Sequence, residues 1–292
     1  MGRASALVRV TAAYVIAVLA GLAWLVWGPG SGRAWLDGLI ADLIATVVIF
    51  VASRIYRNSS FYDPYWSVAP PLLAFYWWID AGEIADTARW WLMMVIMLVW
   101  AVRLTGNWIH TFTGLRHEDW RYPMVRERAG RFEIAADLFG IHVFPTLQVF
   151  LGLIPVYVVA TRAGEAFGVL DIVAFVIGVG AVTIETVADL QMHRFAATKS
   201  PGQVMDQGVW AWSRHPNYFG EVCVWLSFAL FGLAAAPGSW WVLVGALTML
   251  AMFLGVSIPM MEQRSLQRRP AYHDVVQRVS VFVPLPPRKR AA

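Results

Sequence analysis

Eight runs of mainly apolar residues, joined by short connections, dominate this chain. They lie at Leu7–Trp27, Trp35–Val51, Trp66–Ile79, Trp90–Ile109, Ile141–Ala160, Phe167–Leu190, Val222–Ala236 and Trp240–Ile258. About 20 apolar residues in helical form cross the hydrocarbon core of a bilayer. Inside that core each backbone N–H and C=O needs an internal partner, which restricts such runs to helices. The expectation is an all-α, polytopic integral membrane helical bundle of about eight transmembrane helices. The third and seventh runs are short, so seven is the other count to test. Composition agrees, because only 14% of the 292 residues are charged and 59% are hydrophobic. Soluble domains carry about a quarter charged residues. The 16 tryptophans suit a chain with two membrane interfaces.

Basic residues set the orientation. With the connections taken alternately, 19 of the 23 Lys and Arg fall on one side. Three (Arg33, Arg89 and Arg162) fall on the other, and Arg103 lies within a helix. This bias places both termini in the cytoplasm and favours an even helix count. The polar stretches obey the same sidedness, so the cytoplasmic face is the expected working face. The net charge of +4 therefore reads as membrane topology, and no nucleic-acid motif accompanies it. The first run has no small-residue cleavage site and reads as a retained helix. The single cysteine, Cys223, excludes an intrachain disulfide and a cysteine-rich metal site. His193 and His215 fall on different loops, so no metal site is expected.

Ionisable groups inside membrane helices are costly unless paired. Glu185 and Asp189, four residues apart, share one face of the sixth run, as Arg103 and Asn107 do on the fourth. Two readings stay open: an ion-pair lock between those helices, or a polar pocket roofed by cytoplasmic loops. His142 on the fifth run reads as a packed histidine. "GVGA" at Gly178–Ala181 lies mid-helix and reads as close helix packing.

The densest polar cluster is "WSRHPNYFGE", Trp212–Glu221, at the mouth of the seventh run. Arg214 offers a fork suited to phosphate. His215 can donate to a phosphate or an amide. Asn217 offers both donor and acceptor, suited to a carboxamide. Glu221 can accept from a sugar hydroxyl or from Arg214, and Gly220 permits close approach to the backbone. A helix N-terminus also favours anions. The stretch is a recipe for gripping a phosphorylated nucleotide at the membrane surface, set against the plainer reading of an interfacial collar.

"SRHPNYFGE" resembles the C-terminal signature of the steroid 5-alpha-reductase family and its sterol-reductase relatives. It is most similar to a large bacterial branch described only as a domain of unknown function. "YDPYWS", "RLTGNW", "GLRHEDWRY", "ETVADLQ" and "MMEQRSLQRRPAY", with a closing "VFVP", extend the likeness from Tyr62 to Pro284. The resemblance implies a bacterial inner-membrane enzyme, with residues 1–60 as N-terminal helices and 61–292 as a reductase-like membrane domain with cytoplasmic cofactor-binding loops, all in one structural domain. It implies NADPH as cofactor, contacted by Asn217 and Glu221 with Arg214, His215 and Tyr218 beside them. Glu185, Asp189 and Arg194 would lie near the nicotinamide or ribose, with Arg103 and Asn107 in the same polar pocket. Arg264 and Tyr272 would reach phosphates or adenine. Asp63 corresponds loosely to the glutamate that the reductases place near an enone carbonyl. "YDPYW" replaces their Gln-Glu pair, Trp100 falls near their partner tyrosine, and Tyr65 is the substitute phenol.

The implied reaction is hydride transfer from NADPH to the beta carbon of a conjugated enone or C=C bond in a steroid-like or other lipid. Asp63 and Tyr65 are the expected proton donors. The same Arg-His-Pro core also resembles isoprenylcysteine and phospholipid methyltransferases, which use S-adenosylmethionine. Those tend to carry two adjacent glutamates in the tail, where this chain has "MEQRS". The expected partners are the bilayer and a lipid-like small molecule, not nucleic acid.

Overall fold

The computed structural model describes residues 2–288. Lys289 and Arg290, counted on the basic side above, lie outside the described residues. Twelve α-helices form, and there is no β-strand among the described residues. The chain divides into two compact units, Met1–Gly164 and Glu165–Ala292.

The first unit holds α1 (Arg3–Trp27), α2 (Ala34–Tyr56), α3 (Tyr65–Asp80), α4 (Thr87–Thr111), α5 (Arg121–Ala129), α6 (Glu133–Ala136) and α7 (Phe144–Ala160). Small residues let α1 lie close on α2: Ala6, Val10, Ala13, Ala17 and Gly21 are its buried positions. A Cβ on Gly21 would stand 3.2 Å from the Ala41 carbonyl oxygen. α2 stops at Arg57, which takes the left-handed conformation with φ 53°. The Asn58 side chain then accepts from Ser60 N at 2.9 Å and starts a short 3₁₀ turn, Ser59–Phe61. That turn feeds the chain into α3.

Aromatic rings fix α3 against its neighbours. Trp77 meets Phe150 and Tyr157 of α7 edge-on, and Trp78 stacks on Trp90 of α4 at 5.2 Å. Trp77 also donates its indole proton to the Ala34 carbonyl at 3.1 Å. Gly38 of α2 makes room for that ring, since a Cβ there would stand 2.8 Å from Trp77 Nε1.

The second unit holds α8 (Val169–Thr198), α9 (Pro216–Ala235), α10 (Val244–Met252), α11 (Ile258–Arg268) and α12 (Tyr272–Arg278). A π-helical stretch, Phe253–Ser257, joins α10 to α11. Pro216 opens α9 at its first position, where the missing N–H costs nothing.

Seven helical runs among the described residues are long and apolar enough to cross a membrane: Arg3–Trp27, Ala34–Tyr56, Thr87–Thr111, Arg121–Ala160, Val169–Thr198, Pro216–Ala235 and Trp240–Arg268. All eight apolar runs fall on helices of this polytopic all-α membrane bundle. The third forms α3, whose 16 residues reach about 24 Å at 1.5 Å per residue, short of the ~30 Å core. Several runs extend past their expected ends, the fifth and the last furthest. The fifth begins at Arg121 rather than Ile141, and the last continues to Arg268 rather than Ile258. The added turns are polar, and a helix needs no apolar sequence once it has left the hydrocarbon.

Candidate functional site

In the first unit, α1, α2 and α3 line a partly open cavity of about 420 Å³. One face of each helix supplies the wall: Tyr14 to Leu25 on α1, Ala41, Asp42 and Ala45 on α2, and Tyr65 to Asp80 on α3. The wall is apolar except where Tyr14, Asp42 and Tyr65 gather, and at Tyr76 and Asp80. Tyr65 donates its hydroxyl proton to Asp42 Oδ1 at 2.6 Å and approaches the Asp42 carbonyl at 3.0 Å. Both residues are only 5% exposed. Tyr14 meets the Tyr65 ring edge-on at 6.1 Å and donates to the Phe61 carbonyl at 2.8 Å.

Hydroxyl groups continue behind this couple. Thr46 hydrogen-bonds the Tyr65 phenol and lies 2.8 Å from Thr146 Oγ1, which lies 2.7 Å from the Tyr62 hydroxyl. Thr146 reaches the His142 carbonyl at 3.0 Å, and His142 Nε2 is 3.1 Å from Ser53 Oγ. His142 is buried, as expected, but inside a polar network rather than among apolar side chains alone. Its Nδ1 meets the Asp137 carbonyl oxygen at 2.9 Å. The Asp137 carboxylate accepts from Ser59 at 2.7 Å and from Arg54 at 3.0 Å. Arg54 also holds Glu133, and Arg126 holds Glu118 at 2.5 Å. A buried charge is tolerable when its partners are this close.

Asp63 has other partners. Its carboxylate accepts from the Tyr122 hydroxyl. Burial pushes its pKa from the ordinary 3.8 to about 6, opposed by the Tyr122 hydrogen bond and reinforced by the nearby Asp119 charge. The Asp63 and Tyr65 read together from the sequence thus belong to two different couples, Asp63–Tyr122 and Tyr65–Asp42. Asp42 was not singled out in the sequence. A carboxylate in the middle of an apolar run is itself the signal that could have found it. Trp100 is fully buried and meets Trp66 edge-on at 6.1 Å. Arg103 and Asn107, both half-buried, lie one turn apart on α4.

In the second unit, the residues of "SRHPNYFGE" have mostly internal partners. Arg214 donates to both Glu262 oxygens, at 2.6 and 3.2 Å, and to the Val276 and Val279 carbonyls at 2.9 and 2.7 Å. Its backbone N–H reaches the Ser280 carbonyl at 2.8 Å. Ser213 Oγ donates to the Phe282 carbonyl, and Leu285 N to the Trp212 carbonyl. Arg214 is therefore the centre of a clasp on the C-terminal tail. His215 Nε2 lies 3.2 Å from Glu262 and stacks on Tyr218, which stacks on Phe253 at 4.5 Å. Glu221 accepts from Trp225 Nε1 at 2.8 Å.

Asn217 differs. It sits half-buried in the first turn of α9, and its amide has no hydrogen-bond partner among the described residues. Glu185 is buried and Asp189 half-buried on one face of α8, with Arg194 exposed beyond them. Gly220 brings α9 against Glu185, for a Cβ there would stand 2.4 Å from Glu185 Cγ. Arg264 is half-buried on α11. Burial, chiefly, and the Glu262 charge raise the Tyr272 phenol to about 12. Glu262, central to the clasp, entered the sequence reading only as the single glutamate of "MEQRS" and not as a site residue.

A helical membrane protein with its polar side chains gathered into such clusters defines a class, and comparison with known proteins narrows it. Residues 49–279 match the family described as "Protein of unknown function (DUF1295)", and the chain belongs to that family. It is also similar to "Uncharacterized protein C594.04c" of Schizosaccharomyces pombe, 26% identical over 271 residues, covering 85% of this chain and 78% of the yeast protein. No solved structure matches.

Proposed function

We propose that this protein is a membrane-embedded, NADPH-dependent reductase of a carbonyl-conjugated C=C bond in a lipid. The observation that carries the reading is the buried Asp42–Tyr65 couple, 2.6 Å apart, at the wall of a mainly apolar cavity. Hydride addition to the beta carbon of an enone places negative charge on the carbonyl oxygen. A preorganised donor is worth most where such charge develops. The couple serves this role with both protons in place. Tyr65 donates to Oδ1, and the carboxyl O–H is left for the ligand's carbonyl. Thr46 and Thr146 behind the phenol hold its orientation. The likeness to steroid 5-alpha-reductases in "SRHPNYFGE" supports the same reading, with Asp42 in the role first given to Asp63.

NADPH, when bound, supplies the hydride. The residues fit a dinucleotide in a reduced set. The Asn217 carboxamide is open, stands in the first turn of a 20-residue helix and can pair with another carboxamide. Arg194 is an exposed cation for phosphate. Arg214 does not fit a phosphate, since four of its donors are taken within the chain. It serves as a positioning residue that fixes the entry to α9.

The test is binding followed by turnover. Purified protein should be stabilised against heat by NADPH and not by S-adenosylmethionine, and Asn217→Ala should remove that effect. Tyr65→Phe and Asp42→Asn should keep NADPH binding yet lower turnover of lipid enones by 10²-fold or more, in line with loss of an oxyanion donor. Stabilisation by S-adenosylmethionine alone would move the protein to the methyltransferases.

A further inference from the structure

The C-terminal strap of the second unit does more than supply acceptors to Arg214. After α12 the chain bends through residues 281–283 and is tied to the entry of α9. The Ser280 carbonyl accepts from Arg214 N at 2.8 Å, the Phe282 carbonyl accepts from Ser213 Oγ at 2.7 Å, and Leu285 N donates to the Trp212 carbonyl at 2.9 Å. Farther on, Arg288 N donates to the Arg278 carbonyl at 2.9 Å. The Phe282 ring is buried and meets Phe219 of α9 edge-on at 5.6 Å. Its neighbours are not buried with it. Val281, Val283, Leu285 and Trp212 are between 38% and 53% exposed.

The depth of this apolar strip follows from α9. Its 20 residues reach about 30 Å at 1.5 Å per residue, the thickness of the hydrocarbon core. Pro216 therefore stands at one edge of the core. Phe219 lies within one turn of it, so the strap that packs on Phe219 is held at the level of the lipid headgroups. Tryptophan favours that level, and aliphatic side chains gain there by leaving water.

Charge points to the same surface. From Glu262 to Arg290 the sequence has seven Lys and Arg and two carboxylates. Arg214 and Arg278 engage both carboxylates. Arg288 is exposed, and Lys289 and Arg290 follow it in the sequence. Interfacial binding combines buried apolar area with attraction to anionic lipid. Each cation near such a surface strengthens it about five-fold.

We propose that the strap from Val279 to Arg288 is a membrane-surface anchor for anionic phospholipid. Trp212, Val281, Val283 and Leu285 sit among the headgroups on the side where α9 enters, and the cations from Arg288 onward attract the lipid phosphates. The Val279 and Ser280 carbonyls also hold Arg214, so lipid charge acts on the same backbone that fixes the entry to α9. The anchor is independent of the reductase reading.

The experiment uses the full chain with Cys223→Ala, in nanodiscs of phosphatidylcholine with or without phosphatidylglycerol. A nitrobenzoxadiazole label is placed on Val283→Cys, and on Ser200→Cys as the control. α8 has 30 residues, about 45 Å at 1.5 Å per residue. Glu165 N bonds the Ala235 carbonyl, so α8 and α9 are level at the far side and the excess length lies at the Thr198 end, next to Ser200. The Val283 label should be quenched by a spin label on the lipid headgroup and shielded from iodide, and the Ser200 label should show the reverse. Phosphatidylglycerol should raise the unfolding midpoint at about 0.1 M salt, and the gain should vanish at about 1 M, where the Debye length falls from about 10 Å to about 3 Å. Arg288→Gln, Lys289→Gln and Arg290→Gln together should remove the gain and leave the midpoint in phosphatidylcholine unchanged. A Val283 label open to iodide and untouched by the lipid quencher would overturn the anchor and leave the strip to a protein partner. So would a midpoint that phosphatidylglycerol does not raise, or a gain that the triple variant keeps.

Discussion

Half-buried Asp63 and buried Asp42 are both acids held by a tyrosine, and they call for opposite experiments. Asp63 has a folded-state pKa raised to about 6, so the folded chain binds a proton that the unfolded chain releases near 3.8. Stability is then greatest below the lower value and falls as pH rises from about 4 to about 6. Two pKa units correspond to about 3 kcal/mol as an upper bound, reduced by solvent at this half-buried site. Asp63→Asn should therefore raise the midpoint of thermal unfolding at pH 7–8 and leave it nearly unchanged at pH 4. Equal shifts at both pH values would refute the burial argument. Arg214→Lys replaces a four-bond fork by a point charge. It should destabilise the protein in the absence of any nucleotide, and the Arg214→Lys, Glu262→Gln double variant should be little worse than either single one. Additive losses would instead separate Arg214 from Glu262. These residues show what the sequence makes legible. That "SRHPNYFGE" matters could be read from its density of polar groups. That Arg214 serves the tail could not, because two of its four acceptors are backbone carbonyls more than sixty residues away, and a carbonyl carries no sequence signature.

Between helices, distances of approach decide what a residue can become. Gly220 places α9 against α8 with no room for a methyl group: its Cβ would stand 2.4 Å from Glu185 Cγ and 2.9 Å from the Ala181 carbonyl oxygen. The second atom is backbone and cannot swing aside. Gly220→Ala should destabilise the protein by about 1–3 kcal/mol, read as a lower unfolding midpoint, whereas Gly140→Ala, with open space around it, should cost much less. Equal losses at the two glycines would show that helix propensity, not contact, sets the effect. Helix positions followed from hydropathy, since runs of 14 to 24 mainly apolar residues leave few alternatives. Helix ends did not follow. Residues 121–140 read as a charged loop because period and hydropathy are weak there, yet Arg54, Arg126 and their carboxylates supply the partners that hold this stretch in helical form.

For the whole chain, the parity turns on whether α3 crosses. Seven long helices put the termini on opposite sides of a membrane, and α3 as an eighth returns them to the same side. The bias of basic residues calls for the second arrangement. Reporters fused to either end should both be active in the cytoplasm, and a C-terminal reporter active on the far side would remove α3 from the count. The tail clasp also has a consequence for biosynthesis. The Arg54–Asp137–Arg126 cluster draws on residues no later than Asp137, so it can close while the ribosome is still translating the second unit. Arg214 must wait for Glu262, Val276, Val279 and Ser280. Domains generally assemble in the order of their synthesis, so the signature segment is among the last parts of the nascent chain to reach its final form.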